Sequence, residues 1–312
     1  MGLKNRVLNA LLGAAIGDAL GVPYEFVERD YFYLQPVTGM DAYGTHNQPA
    51  GTWSDDTAMT WATVDVLVKH VQKEPSQNFL KALVEAFLAW LHTGKYTARG
   101  EVFDVGNTTH GALMDYAITP NFEDRPLVLE GASDVFSQGN GSLMRFLPVA
   151  LWHAVEPWPD ELLTKCSQIT HAHPVAVDAC LHYANTVRFS LKHDFETASQ
   201  LASHRAKKQG ASYVPDMQNI WHRPEYEVKS SGYVVDTLEA AYWCVYHGGN
   251  YRDCVLRAVN LGGDTDTVAS ITGGLCAWLQ SGAIPTVWLD ALAQKKALMA
   301  SYCAYGEKLS HE

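Results

Sequence analysis

The feature that most constrains this chain is its period. Stretch after stretch repeats apolar residues at intervals of three and four, and convincing two-residue alternation is nearly absent. In the segment Phe79, Leu80, Leu83, Val84, Phe87, Leu88, Leu91 that spacing puts the apolar side chains on one stripe of a helix. Equivalent patterns predict helices at about 4–16, 57–71, 78–91, 160–169, 174–192, 236–247, 251–261, 268–281 and 286–303, with Pro174 suited to a first turn. A chain that offers helices and almost no strands must bury helix against helix, so the fold class is all-α, a compact irregular multi-helix globular domain. No unit of roughly 20–50 residues repeats, which excludes a solenoid. With 312 residues, 47% hydrophobic and 18% charged, the chain can close a large core, and no linker divides it; residues 1–312 read as a single domain.

The formal net charge is −11, and the 23 lysines and arginines are scattered. A phosphate backbone rewards concentrated positive charge, so a nucleic-acid partner is not expected. Six cysteines without CxxC spacing, mostly among apolar helical residues, read as free thiols in a reducing cytoplasm. Lys4 and Arg6 ahead of the apolar run Val7 to Ile16 imitate a secretion signal. Against that, Leu8, Leu11, Leu12, Ala15 and Ile16 keep helical spacing, Asn9 interrupts the run, and it ends in Gly17-Asp18. No other segment is long and apolar enough to span a bilayer, and no membrane partner is expected. The sequons at Asn107 and Asn140 fall in loops assigned below to the site, which again favours the cytoplasm.

Loops rich in Gly, Asp, Thr and Asn punctuate the helices at 17–25, 51–57, 104–111, 139–145 and 262–267. Each borders a helix, an arrangement that would collect loop residues and helix N-termini at one end of a bundle. Two of these loops carry paired carboxylates. Asp264 and Asp266 would point to nearly opposite sides of a regular helix; they converge only in a turn, which Gly262-Gly263 supplies ahead of the helix at Val268. Ser54-Asp55-Asp56-Thr57 repeats that composition after Gly51-Thr52-Trp53. Helix capping is the competing reading, but it calls for one short polar side chain, not paired carboxylates twice. Four carboxylates brought together repel unless cations neutralise them, and oxygen-only donors suit Mg²⁺, Mn²⁺ or Ca²⁺ better than zinc. Two such ions can share a bridging carboxylate and acidify a shared water.

Taken in order, these loops resemble the ADP-ribosylglycohydrolases. Gly17-Asp18-Ala19-Leu20-Gly21 with Glu25, Ser54-Asp55-Asp56-Thr57, Asp104-Val105-Gly106-Asn107-Thr108-Thr109, Gly139-Asn140-Gly141-Ser142-Leu143-Met144-Arg145, Thr170-His171, Gly232-Tyr233-Val234-Val235-Asp236-Thr237 and Gly262-Gly263-Asp264-Thr265-Asp266-Thr267 occur in the family's order. The resemblance spans 13–281. It implies a binuclear Mg²⁺ or Mn²⁺ centre at one end of the bundle, with Ser54, Asp55, Asp56, Asp264, Asp266 and Thr267 as ligands; Ser54 stands where many members have Thr. It implies that Glu25 approaches the metals and acts in catalysis with Asp55 and Asp56, and that Asp104 faces the ribose and the leaving group. The division of acid and base roles between Glu25 and Asp104 is open. A surface carboxylate is the other reading of Glu25, and an Asx turn that of Asp104. Gly139, Asn140, Gly141 and Ser142 would cradle the diphosphate through backbone N–H groups, although a plain tight turn uses the same residues. His171 resembles the histidine beside the distal part of the nucleotide, with a structural histidine as the alternative. Tyr233 offers a face for adenine or a ring for the core.

The implied reaction is hydrolysis of the glycosidic bond between ribose C1″ and an ADP-ribosylated protein side chain, releasing ADP-ribose. The family divides mainly into enzymes acting on arginine and on serine conjugates. The layout of 104–109 and 139–145 looks more like the arginine group, and an acidic cleft mouth at Asp104 suits a guanidinium. A serine conjugate, or a non-catalytic crystallin-like role, is the alternative; lost ligands would mark the latter, and all six positions keep an oxygen-bearing residue. HExxH, GxGxxG, P-loop and GxSxG patterns are absent.

Overall fold

A computed structural model describes residues 2–71, 77–119, 131–280 and 284–311. Among them fifteen α-helices follow one another, and bridges between extended residues are isolated ones with no strand. In chain order they are α1 (Leu3–Gly21), α2 (Arg29–Leu34), α3 (Asp55–His70), α4 (Gln77–Thr93), α5 (Asn107–Ile118), α6 (Leu147–Val155), α7 (Asp160–Gln168), α8 (Pro174–Phe189), α9 (Phe195–Gln209), α10 (Met217–His222), α11 (Val234–Gly248), α12 (Tyr251–Asn260), α13 (Thr265–Leu279), α14 (Thr286–Ala291) and α15 (Lys295–His311). The all-α class is as the period requires.

The first helix packs along the thirteenth, with α15 and α12 beside them; α3 lies between α15 and α4, and α6, α7 and α9 surround α8. Expectation placed Gly17 and Gly21 in a loop at 17–25, and the structure corrects it: both complete α1. A Cβ on Gly17 would overlap the carbonyl of Ala269, and one on Gly21 the backbone of Asp266. These glycines let two helix backbones touch rather than let the chain turn. By length and composition α1 could cross a membrane, with a mean hydropathy of 1.3, but 83% of that stretch is buried within the protein.

Five helices escaped the period, two of them, α2 and α10, only six residues long. α6 is buried on every side, so it shows no polar face against which an apolar stripe could be read. α9 buries only Ala198, Ser199, Ala202 and Ser203, residues too small or polar to register as a stripe. α5 begins inside the loop expected at 104–111. The helix expected at 286–303 is two, α14 and α15, parted near Gln294, whose φ of 51° no helix admits. Residue 281 of the expected 268–281 lies outside the described residues.

Candidate functional site

The C-terminal half of α1 and the N-termini of α3 and α13 meet at one place. Asp18, fully buried near the end of α1, accepts from the Ser54 N–H at 2.9 Å, the Thr57 N–H at 2.9 Å and the Thr57 hydroxyl at 2.6 Å. A carboxylate from another helix thus satisfies the first turn of α3, a role usually filled by the helix's own cap. Ser54 itself caps only at a long 3.4 Å. On the other side Gly262 and Gly263, at φ of 73° and 71°, turn the chain into α13, as the glycine pair predicts. Asp264 holds the cap position of α13 without capping it. Its carboxylate is turned elsewhere, so helix capping does not account for the second acidic cluster.

The two clusters touch. Thr267 Oγ1 donates to Asp56 Oδ2 at 3.2 Å across 211 residues of sequence. Ligand atoms of Glu25, Asp264 and Asp266 lie within 4.8 Å of one another, and so do those of Glu25, His46 and Asp104. Burial, with each carboxylate's neighbours adding to it, holds the carboxyls of Asp55, Asp56 and Asp266 well above the usual carboxylate range. Burial pushes Glu25 up to about 7, helped by Asp104 and Asp264 and opposed by its bond to His46. It pushes Asp18 up to about 6 against the bonds from Thr57 and Ser54. Asp104 is raised by burial as well, with His46 opposing. Asp56 Oδ1, Asp264 Oδ1 and Asp266 Oδ2 are buried without any hydrogen-bond donor. Each such orphan costs of order 1–3 kcal/mol. Orphaned, mutually repelling, oxygen-only acceptors fit hard divalent cations, which would supply the missing positive partner.

Above this floor opens a cleft of about 430 Å³, lined by Glu25, Asp55, Asp104, Asp264 and Thr267 at one end. Gly139, Gly141 and His171 form the other, and Asn140 joins the two through Asp264. Ser54, Asp56 and Asp266 lie behind it, buried. Gly141 presses on His171: a Cβ there would sit 2.8 Å from the imidazole Cε1. Burial, then Arg145, pushes His171 down to about 3, so the ring is neutral, and its Nδ1 shares a 2.9 Å hydrogen bond with Thr170 Oγ1. Arg145, itself buried, donates to the same hydroxyl at 2.9 Å and fixes the ring through it.

Three of the expected substrate residues have their side chains engaged or placed elsewhere. Ser142 Oγ is fully buried and accepts from Ser167 Oγ at 2.9 Å, away from the cleft. Asn140 lines the cleft, but its N–H donates to Gly232 O at 3.0 Å and its amide to Asp264 Oδ2 at 2.8 Å, so it braces the acidic turn. Tyr233, 40% exposed, is not among the cleft's lining residues; Phe136, 93% exposed, is. Sequence reasoning passed over Phe136, His46 and Phe26, which carry no motif, and gave Asp18 no role although a lone carboxylate in an apolar helix was the signal. His46 lies in a short turn between Tyr43 and Asn47, both at positive φ, with its Nε2 on the Glu25 carboxylate and its ring 5.3 Å from that of Phe103.

A second cavity of about 400 Å³, between α7, α8 and α9, sets Asp160 and Asp178 over an apolar floor. It holds no metal-capable cluster among the described residues.

Comparison with known proteins gives the family. The ADP-ribosylglycohydrolase family profile matches residues 1–311. ADP-ribosylarginine hydrolase Tri1 of Pseudomonas putida is 32% identical over 292 residues, 93% of this chain and 74% of that protein. ADP-ribosyl-dinitrogen reductase glycohydrolase of Rhodospirillum rubrum is 28% identical over 312 residues, covering 94% of this chain and 92% of its own. A solved structure described as an ADP-ribosylglycohydrolase-related protein complex matches with a TM-score of 0.75 and 28% identity over 98% of both chains. With sequence and fold matched from end to end around one acidic cleft, the chain belongs to the ADP-ribosylglycohydrolase family.

Proposed function

We propose that this chain removes ADP-ribose from ADP-ribosylated arginine side chains of proteins, hydrolysing the bond at ribose C1″ with a pair of Mg²⁺ or Mn²⁺ ions. The observation that carries the reading is the set of orphaned carboxylate oxygens flooring a cleft whose other end is a glycine loop against a neutral histidine. Ser54, Asp55, Asp56, Asp264, Asp266 and Thr267 would hold the cations, joined by Glu25, which lies with Asp264 and Asp266. When bound, the cations supply an acidified water and a seat for the ribose hydroxyls.

The remaining work falls to the chain's own groups. Glu25, with His46 on its carboxylate, stands at the floor of the cleft where it can take a proton from a nucleophile. Asp104, on the cleft wall, pairs with the departing guanidine and returns a proton to it. Positive charge growing at C1″ is met by the surrounding carboxylates. The diphosphate lies along Gly139 and Gly141, and the adenosine reaches His171 and the exposed ring of Phe136, with Tyr233 beyond. A single domain in a reducing cytoplasm is part of the same proposal, supported by six cysteines that form no disulfide. Incubation with arginine-linked ADP-ribosyl peptide and Mg²⁺, followed by mass spectrometry, tests it; no release of ADP-ribose would reject it.

A further inference from the structure

We propose that Phe26 is the platform on which the acceptor arginine stacks its guanidinium, making it a specificity-determining residue for arginine over serine conjugates; this rests on the arginine reading above. Phe26 is 67% exposed and lines the cleft. Its φ is 65°, in the left-handed region where a bulky residue is an outlier. The position is over-determined. The Phe26 N–H donates to Gly263 O at 2.7 Å, and the Gly263 N–H donates to Val27 O at 2.9 Å. The segment is therefore clamped to the same turn that carries Asp264.

The consequence of that backbone conformation is an alternation of neighbours: Glu25 is buried toward the acidic floor, and the Phe26 ring stands in the open at the mouth. The ring centroid lies 6.5 Å from that of His46, whose Nε2 meets Glu25, and Asp104 closes the same group. The ring thus belongs to the carboxylate end of the cleft, where the leaving group departs, and not to the His171 end. Exposure gives the ring no burial energy, and the backbone gains nothing from a side chain at that φ. Strain kept at a cleft is a reason to look for a ligand. A guanidinium is a planar, weakly hydrated cation that stacks on aromatic faces while its N–H edge reaches carboxylates. The mouth offers both, a ring in Phe26 and carboxylates in Glu25 and Asp104. A serine conjugate uses neither.

The test compares wild type, Phe26→Leu, which keeps apolar bulk without a π face, and Phe26→Trp, which keeps the face. Phe26→Leu is expected to lower kcat/KM on arginine-linked ADP-ribosyl peptide about fivefold, which is ~1 kcal/mol, mainly through KM. It should weaken competitive inhibition by methylguanidinium in proportion, leave the Kd of ADP-ribose unchanged, and spare Phe26→Trp. Methylammonium should inhibit poorly throughout. Retention of arginine-linked turnover within about twofold in Phe26→Leu would overturn the platform, as would a parallel loss of ADP-ribose affinity. A wild-type chain that cleaves no arginine conjugate would overturn the parent reading, and the platform with it.

Discussion

The side-chain amide of Asn140 donates to Oδ2 of Asp264 at 2.8 Å and to Thr237 Oγ1 at 2.9 Å, while Asp264 Oδ1 has no protein donor. One oxygen is fixed and the other left for a cation. Groups that orient a metal ligand in this way are typically worth about 10–100-fold in metal affinity. Asn140→Ala is therefore expected to weaken Mn²⁺ binding at least about tenfold by calorimetry. ADP-ribose affinity at saturating Mn²⁺ should stay nearly constant. The reverse pattern would restore Asn140 to the substrate contact that its loop suggested.

Asp56→Asn and Asp266→Asn remove charge from a buried cluster whose members repel one another. Without cations these variants should melt no lower than wild type, because the amides lift repulsion and keep an acceptor in place. Turnover with Mg²⁺ should fall about a hundredfold or more, since a cation's charge is worth several kcal/mol in the transition state. Melting that drops sharply while turnover survives would show that the carboxylates hold the fold and not a metal.

The raised carboxyls set a pH dependence with a definite sign. Glu25 at about 7 and Asp18 at about 6 bind protons in the folded chain that an unfolded carboxyl, near 4, has lost. The stability they contribute is present below about pH 4 and is lost as pH rises through about 6 to 7. His171 and His182, both pushed down to about 3 by burial, run the other way, so the informative quantity is a difference. In chelator, the melting temperature of wild type minus that of Glu25→Gln should fall between about pH 5 and pH 8. Mn²⁺ should raise wild-type melting more at the upper end of that range. A flat difference would mean that Glu25 is not raised.

For Asp104→Asn, arginine-linked turnover should fall about a hundredfold, the usual scale for a lost proton-transfer group. Matched arginine-linked and serine-linked peptides give the comparison. Faster cleavage of the serine conjugate, or unchanged arginine turnover in the variant, would remove both the acceptor assignment and the role given to Asp104.

The nucleotide released should be intact ADP-ribose. At Gly141 the loop's neighbours are the neutral His171 and Thr109, neither equipped to attack a diphosphate, while Asp264 meets the loop only at the Asn140 amide. Mass spectrometry showing AMP with a ribose phosphate as first products would move the chemistry from C1″ to the pyrophosphate.

What the sequence determined by itself was local. The three-and-four spacing of Phe79 to Leu91 demands a helix wherever it lies, Gly262-Gly263 permits a turn wherever it lies, and paired carboxylates at two helix starts demand positive partners. Everything that depends on a neighbour distant in sequence was decided by the tertiary structure. Gly17 and Gly21 read as a turn until α13 is laid against them, and the α6 sequence has no legible face because neighbours bury every side of it. The loop from Gly139 lines the same cleft as the acidic turn, but which of its side chains face inward was settled by what packs behind them: Ser167 draws Ser142 into the core, and Asp264 draws the Asn140 amide to the acidic turn. His46 and Phe26 carry no motif; they matter because a left-handed residue and a short turn bring them to Glu25. Side-chain direction in a loop is fixed by packing and hydrogen bonds to distant residues, as when Thr267 reaches Asp56 across 211 positions, and no local pattern encodes it.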